Sequence, residues 1–226
     1  MHRAMHHVPF GAAIVLATTA IASAGYIEVV ELGPDDFVYG DFASTGLMTQ
    51  QVWIAGLEPT DILLAVYGND DHPMWVQTSA PGGFYNASEY GQEHIFGHPD
   101  LYELHPELQW DTCLTLGGSA DTTVTPAFPD TALAGGGGGI HGHDNLAWFD
   151  MDPDSPEVVG ETGRILIGQF TTEIGYGLDM MQLGLNAMIR RGIGDVVREH
   201  YFIPAPGVLP ALMLIGIGIG AGRRRG

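Results

Sequence analysis

Between residues 181 and 190 the chain reads MQLGLNAMIR, with apolar side chains at every second position. Met181, Leu183, Leu185, Ala187 and Ile189 fall on one side, and Gln182, Gly184, Asn186 and Arg190 on the other. Period two marks a half-buried β-strand. The runs YIEVVEL, QQVWIAGL, ILLAVYG, MWVQTS, CLTLG, LAWF, RILIGQFTT and VVREHYF are likewise short and rich in β-branched and aromatic residues. Gly, Pro, Asp and Asn punctuate them, as they do strands joined by turns. ILLAVYG and RILIG are apolar on both faces, which predicts central strands covered on two sides. Helical periodicity is scarce. The pattern predicts an all-β chain, a single-domain and mostly antiparallel β-sandwich over residues 25–203, for which a jelly roll is one arrangement.

Two stretches interrupt the strands. Residues 82–109 are polar and aromatic, with room for a helical turn, and residues 125–145 carry five successive glycines at 135–139. Both are expected to be loops, because glycine runs have no intrinsic preference for a regular element.

The ends of the chain have a different character. MHRAMHHVPFGAAIVLATTAIASAG opens with Arg3 and histidines, continues as an apolar run from Val8 to Ala22, and offers Ala22-Ser23-Ala24 as small residues before Gly25. This is the pattern of a secretory signal peptide, residues 1–24, with cleavage before Gly25. At the other end Pro204-Ala205-Pro206-Gly207 breaks any regular element, since proline lacks a donor N–H. Val208 to Ala221 is uncharged and apolar, and Arg223, Arg224 and Arg225 follow. Fourteen helical residues would reach roughly 21 Å, short of the ~30 Å hydrocarbon core. Adding Tyr201, Phe202 and Ile203 makes the stretch long enough to span, with the arginines held on the cytoplasmic side.

The proline-containing motif, brief apolar span and terminal arginines resemble the PEP-CTERM sorting signal of Gram-negative bacteria, in a Pro-Ala-Pro-Gly variant. The resemblance implies that residues 204–226 form an apolar sorting helix, anchored transiently in the inner membrane and read by an exosortase-type membrane protease. A plain C-terminal anchor is the alternative. WDTCLTLG, AWFDMDPDSP and GRILIGQFTT are similar to segments of secreted PEP-CTERM proteins of planctomycete-type bacteria. That likeness implies the compartment and the fold and carries no active site with it.

Charge narrows the partners. All 27 acidic residues lie between residues 25 and 203, where the cations are Arg164, Arg190, Arg191 and Arg198, and the chain has no lysine. Such a surface repels nucleic acid and anionic lipid, attracts cations, and suits a salty medium. Cys113 is the only cysteine, so the body has no internal disulfide and must be held by its core. Cys113 is expected to be buried in a strand, with pairing to another chain as the alternative.

The candidate chemistry is sparse. Asp150, Asp152, Asp154 and Glu161 occupy positions 1, 3, 5 and 12 of an EF-hand-like loop, a spacing that gathers oxygen ligands for calcium. Ser155 and Pro156 stand where a sharp glycine turn and a flexible residue are wanted, and neither flank is helical, so an acidic turn between strands competes with calcium. His94, His98, His105, His141 and His143 could offer imidazoles to zinc, but Gly97 and Pro99 oppose the helix that His94 and His98 would need. They are expected to be loop histidines. No G-x-S-x-G is present and GGGGG lacks the following Gly-Lys of a phosphate loop. Trp75, Phe84, Tyr85 and Tyr90 could stack on sugars or simply serve a sheet.

These features predict an exported envelope or extracellular-matrix protein with a structural or adhesive role, not an enzyme and without a required cofactor. Two rivals stay open. One is a calcium-stabilised carbohydrate-binding module, and the other is a secreted hydrolase with a carboxylate pair that only folding would reveal.

Overall fold

The computed structural model describes residues 14–15, 25–87, 99–118, 122–125, 139–143, 146–150, 158–176 and 181–203. Most of the expected leader, the whole tail, and Tyr90, His94, His98, Asp152 and Asp154 therefore lie outside the described residues.

The described strands are β1 (Ile14–Val15), β2 (Tyr26–Leu32), β3 (Leu47–Ala55), β4 (Ile62–Tyr67), β5 (Met74–Thr78), β6 (Cys113–Leu114), β7 (Thr122–Thr125), β8 (Gly139–His143), β9 (Ala147–Asp150), β10 (Arg164–Glu173), β11 (Met181–Arg190) and β12 (Val196–Ile203). They form two antiparallel sheets in a sandwich-like, all-β arrangement. Sheet A runs β1-β2-β3-β10-β6, and sheet B runs β7-β9-β4-β11-β5-β8, with β12 on the far side of β11.

The register of sheet B explains its winding order. Tyr67 ends β4 opposite Asn186, and Trp75 lies opposite Gly184, so β4 and β5 lie end to end along β11. Residues 68–73 are thrown out of the ladder between them. Beyond this row, β9 pairs with β4 and β8 with β5, again end to end.

One apolar core joins the sheets. Ile27, Val29, Val52, Ile54, Ile165, Ile167 and Phe170 of sheet A cluster with Leu63, Val66, Met74, Val76, Trp148, Leu183, Leu185, Ala187 and Ile189 of sheet B. Burying one such aliphatic side chain is worth about 1.5–3 kcal/mol. The apolar face read in β11 is realised, with Leu183, Leu185, Ala187 and Ile189 buried, but Gly184 and Asn186 on the other face are buried too. Strand β10 is buried from Ile165 to Thr172, as its two apolar faces predict, but β4 leaves Leu64 and Ala65 half-buried.

Three departures from the sequence pattern matter. Residues 139–143, expected in a glycine-rich loop, form β8, because the edge of β5 supplies the backbone partners that local sequence does not specify. Thr122–Thr125 likewise forms β7 against β9. Ile14–Val15, inside the expected leader, pairs with Glu28 and Val29 of β2. The helical turns expected within residues 82–109 occur as 3₁₀ turns at Pro99–Leu101 and Pro106–Trp110.

Candidate functional site

The outer face of sheet B gathers chemistry that strand reading alone leaves scattered. In one row across the sheet, Trp75 of β5 lies opposite Gly184 of β11, and Gly184 lies opposite Phe202 of β12. Alternation points all three outward, since Val76, Leu183, Leu185 and Tyr201 face the core. Trp75 is 38% and Phe202 47% exposed. A Cβ placed on Gly184 would lie 3.2 Å from Phe202 Cδ2 and 3.6 Å from Trp75 Cδ1. The two rings thus lean over the glycine from either side and form one aromatic ledge. The absent side chain is what lets them close over the strand.

The next row adds polar groups. Asn186 stands between Tyr67 and His200 in the register. Its amide nitrogen donates to the carbonyls of Tyr67 (3.1 Å) and His72 (2.9 Å), pinning the excursion at residues 68–73. Its Oδ1 lies 3.2 Å from His200 Nδ1. His72 stacks on His200 with ring centroids 4.0 Å apart and planes 19° from parallel. Burial lowers the His200 pKa, and the neighbouring His72 lowers it further, against the raising effect of a hydrogen bond that the ring donates to the Leu185 backbone carbonyl. The face therefore combines exposed aromatic carbon with the His72 and His200 imidazoles in the neighbouring row, positioned by the buried Asn186 amide, an arrangement able to hold a flat, hydroxyl-rich ligand by stacking and hydrogen bonds.

A second surface lies at one end of sheet A. Tyr26, Glu28, Ala55, Gly56, Thr162, Gly163 and Arg164 line an open depression of about 450 Å³. Arg164 Nη1 is 3.0 Å from Glu28 Oε2, and its guanidinium lies 4.4 Å above the Trp53 ring. The one cation here is thus held by a carboxylate and a ring. The depression offers a single carboxylate, Glu28, so it does not supply the paired acids of a glycosidase.

Two carboxylates do meet at Arg191. Its Nη1 is 2.5 Å from Asp61 Oδ2, and its Nη2 donates to Glu199, which also accepts from the Tyr201 hydroxyl. Asp61 is 1% exposed and accepts further bonds from the Glu58 and Gly192 backbone N–H groups. Burial opposes the Arg191 charge, yet the hydrogen bonds and charges of Asp61 and Glu199 outweigh it and raise its pKa. This network ties the β3–β4 connection to the β11–β12 hairpin, with the guanidinium between its two acids.

The residues singled out by sequence are distributed as follows. Asp150 ends β9, and Glu161 sits exposed in the turn before β10; Asp152 and Asp154 lie outside the described residues. Among the described residues no group of three or more His, Cys, Asp or Glu is arranged to hold a metal ion. His105 lies 3.4 Å from Glu107, and His141 and His143 fall on β8 rather than in a loop. Cys113 is buried in β6; burial, with the nearby Asp111, pushes its thiol pKa upward. Of the described aromatic candidates, Phe84 belongs to the core at 2% exposure and Tyr85 is half-buried, so Trp75 is the exposed ring among them. Phe202, counted with Tyr201 and Ile203 toward a membrane span, instead belongs to β12, and only the register brings it and Gly184 beside Trp75. Pro204, Ala205, Pro206, Gly207, Arg223, Arg224 and Arg225 lie outside the described residues, among which no helix is long and apolar enough to cross a membrane.

Comparison of the chain with family models, characterised proteins and solved structures finds no match.

Proposed function

We propose that this chain is an exported cell-envelope or extracellular-matrix protein whose role is structural and adhesive rather than catalytic. Residues 1–24 act as the signal peptide, and residues 204–226 as a transient inner-membrane anchor removed by an exosortase-type protease near Pro204–Gly207. Their sequence patterns support this delivery. The observation that carries the adhesive role is the ledge of Trp75 and Phe202 over Gly184, an exposed aromatic surface on a sheet whose other face is core. The mass of the protein recovered from its native envelope tests delivery. A chain beginning at Gly25 and lacking Arg225 is expected, and a mass that retains Arg225 makes the tail a plain anchor.

The same ledge favours a second, more specific reading, a carbohydrate-binding module. Its ligand would be a neutral polysaccharide, because the acid-rich body repels uronic or sulfated polymers as it repels nucleic acid. Pyranose C–H faces would stack on Trp75 and Phe202, and hydroxyls would reach His200 and His72. Calcium enters this reading through Asp150, Asp152, Asp154 and Glu161, close in sequence, whose like charges a bound cation would neutralise. A calcium-selective rise in melting temperature, lost in Asp152→Ala, is the expected sign of that site; an equal rise with magnesium would count against it. Turnover of the polysaccharide, rather than retention, would favour the hydrolase.

A further inference from the structure

Gly25 is the residue that cleavage after Ala24 would turn into the N-terminus, and its surroundings are unusual for a chain end. A Cβ built on Gly25 would fall 2.6 Å from the Tyr201 hydroxyl, 3.3 Å from Glu199 Oε2 and 3.3 Å from the Ala55 carbonyl oxygen. The first distance is under 3.0 Å, so any side chain at this position would force the Tyr201 hydroxyl to shift. Bond geometry puts a residue's nitrogen about 2.5 Å from its Cβ. The Gly25 nitrogen therefore lies within roughly 5 Å of the Tyr201 oxygen and 6 Å of Glu199 Oε2, the range over which opposite charges shift a pKa.

The charged groups around it form one connected set. Glu199 and Tyr201 come from β12, and Arg191 bridges Glu199 to the buried Asp61, so one guanidinium is shared by two carboxylates. On the strand Gly25 leads into, Glu28 is paired with Arg164. A second cation beside Glu199 would find a carboxylate already desolvated and held in place. Strand β1 lies on the far side of the cut and would leave with the leader.

We propose that the α-ammonium released at Gly25 by signal cleavage is seated against Glu199 and the Tyr201 hydroxyl, as the second cation of the Asp61–Arg191–Glu199 network. Processing thereby stabilises the domain it releases. This rests on the export reading for the position of the cut. The seated ammonium has a pKa raised above the ordinary ~7.7–8.0, because the Glu199 carboxylate beside it favours the charged form. A group whose folded pKa is raised contributes its full stability below the unfolded value and loses it as pH climbs through the folded one. The stabilisation is therefore present at pH 7 and fades as pH climbs above about 8.

The test uses the full chain, exported and processed in a bacterial host, with two variants. One is Glu199→Gln. The other inserts an alanine between Ala24 and Gly25, which carries the ammonium about 3.8 Å further along the chain and leaves the network's side chains untouched. N-terminal sequencing comes first, followed by titration of the α-ammonium by NMR and melting curves from pH 7 to 10. The parent is expected to begin at Gly25 and titrate above the ordinary range. It should also melt about 2–4 °C above the alanine-extended chain at pH 7, a difference that closes by pH 10. In Glu199→Gln the ammonium should return to the ordinary range. A first residue other than Gly25 overturns the cleavage reading and the seat together. Gly25 as first residue, with an ordinary ammonium pKa and no gap between parent and extended chain, overturns the seat alone.

Discussion

The outer faces of the two sheets are treated differently by the chain. Along β10 the outer face of sheet A is covered by the segment around Pro106–Trp110 and the residues that follow it. Gln169 donates through Nε2 to the carbonyls of Gln109 and Asp111, each at 3.0 Å, and Thr112 Oγ1 accepts from the Thr171 N–H at 3.1 Å. Thr171 and Thr49, 2.7 Å apart through their hydroxyls, are wholly buried. Gln109 reaches back to Val38, Tyr39 and Pro106, and Trp110 packs edge-on against Phe37 and tilted on Phe42. Sheet B, by contrast, presents Trp75, Phe202 and the His72–His200 stack to solvent. Where the chain closes a sheet, polar residues become internal fasteners. Where it leaves one open, aromatic surface stays available to a partner.

The contrast can be broken most forcefully at the cover. Trp110 is 5% exposed, so Trp110→Ala should lower stability by about 3–5 kcal/mol, whereas Trp75→Ala on the open face should cost about 1 kcal/mol or less. Urea unfolding of both variants measures the difference, and similar losses would erase the distinction between the faces. Gln169→Leu comes next. It withdraws the donor shared by two buried carbonyls and should cost about 1–3 kcal/mol, again by urea midpoint; a neutral change would mean that the cover is not fastened there.

The smallest effect on stability belongs to the open face. The His200 pKa is lowered by burial and then by His72, so the unfolded chain binds the extra proton first as pH falls. The contribution of neutral His200 is complete above about pH 6.5 and is lost as pH drops toward the folded value. A shallow decline in melting temperature below pH 6.5, reduced in His72→Ala, is expected. A melting temperature that rises over that range would reverse the sign and refute the stacked-pair account.

How much of this was legible in the sequence varies from element to element. Strands β10 and β11 were plain, because Arg164 to Thr172 and Met181 to Arg190 carry period-two or doubly apolar patterns that local burial enforces. Strand β8 was not, because Gly139 to His143 has no pattern of its own and is drawn into the sheet by β5. The same physics hid the aromatic ledge. Trp75, Gly184 and Phe202 are far apart in the chain, and nothing short of the register of β5, β11 and β12 places them in one row. Composition also could not separate Trp75 from Phe84, one exposed and the other in the core. The acidic motif ending at Glu161 was easy to notice for the opposite reason, since its spacing is local.

The most direct measurement of the adhesive claim is retention of the full, exported chain on an insoluble neutral polysaccharide, compared among the parent, Trp75→Ala, Phe202→Ala and Leu104→Ala. Leu104 is 74% exposed and lies away from sheet B's ladder, in the segment before the Pro106–Trp110 turn, so it controls for nonspecific apolar adsorption. The open-face account expects the parent and Leu104→Ala to be retained alike, and both ledge variants to lose retention by about tenfold or more, the equivalent of 1.4 kcal/mol. Equal retention of all four chains, or none by the parent, would contradict it.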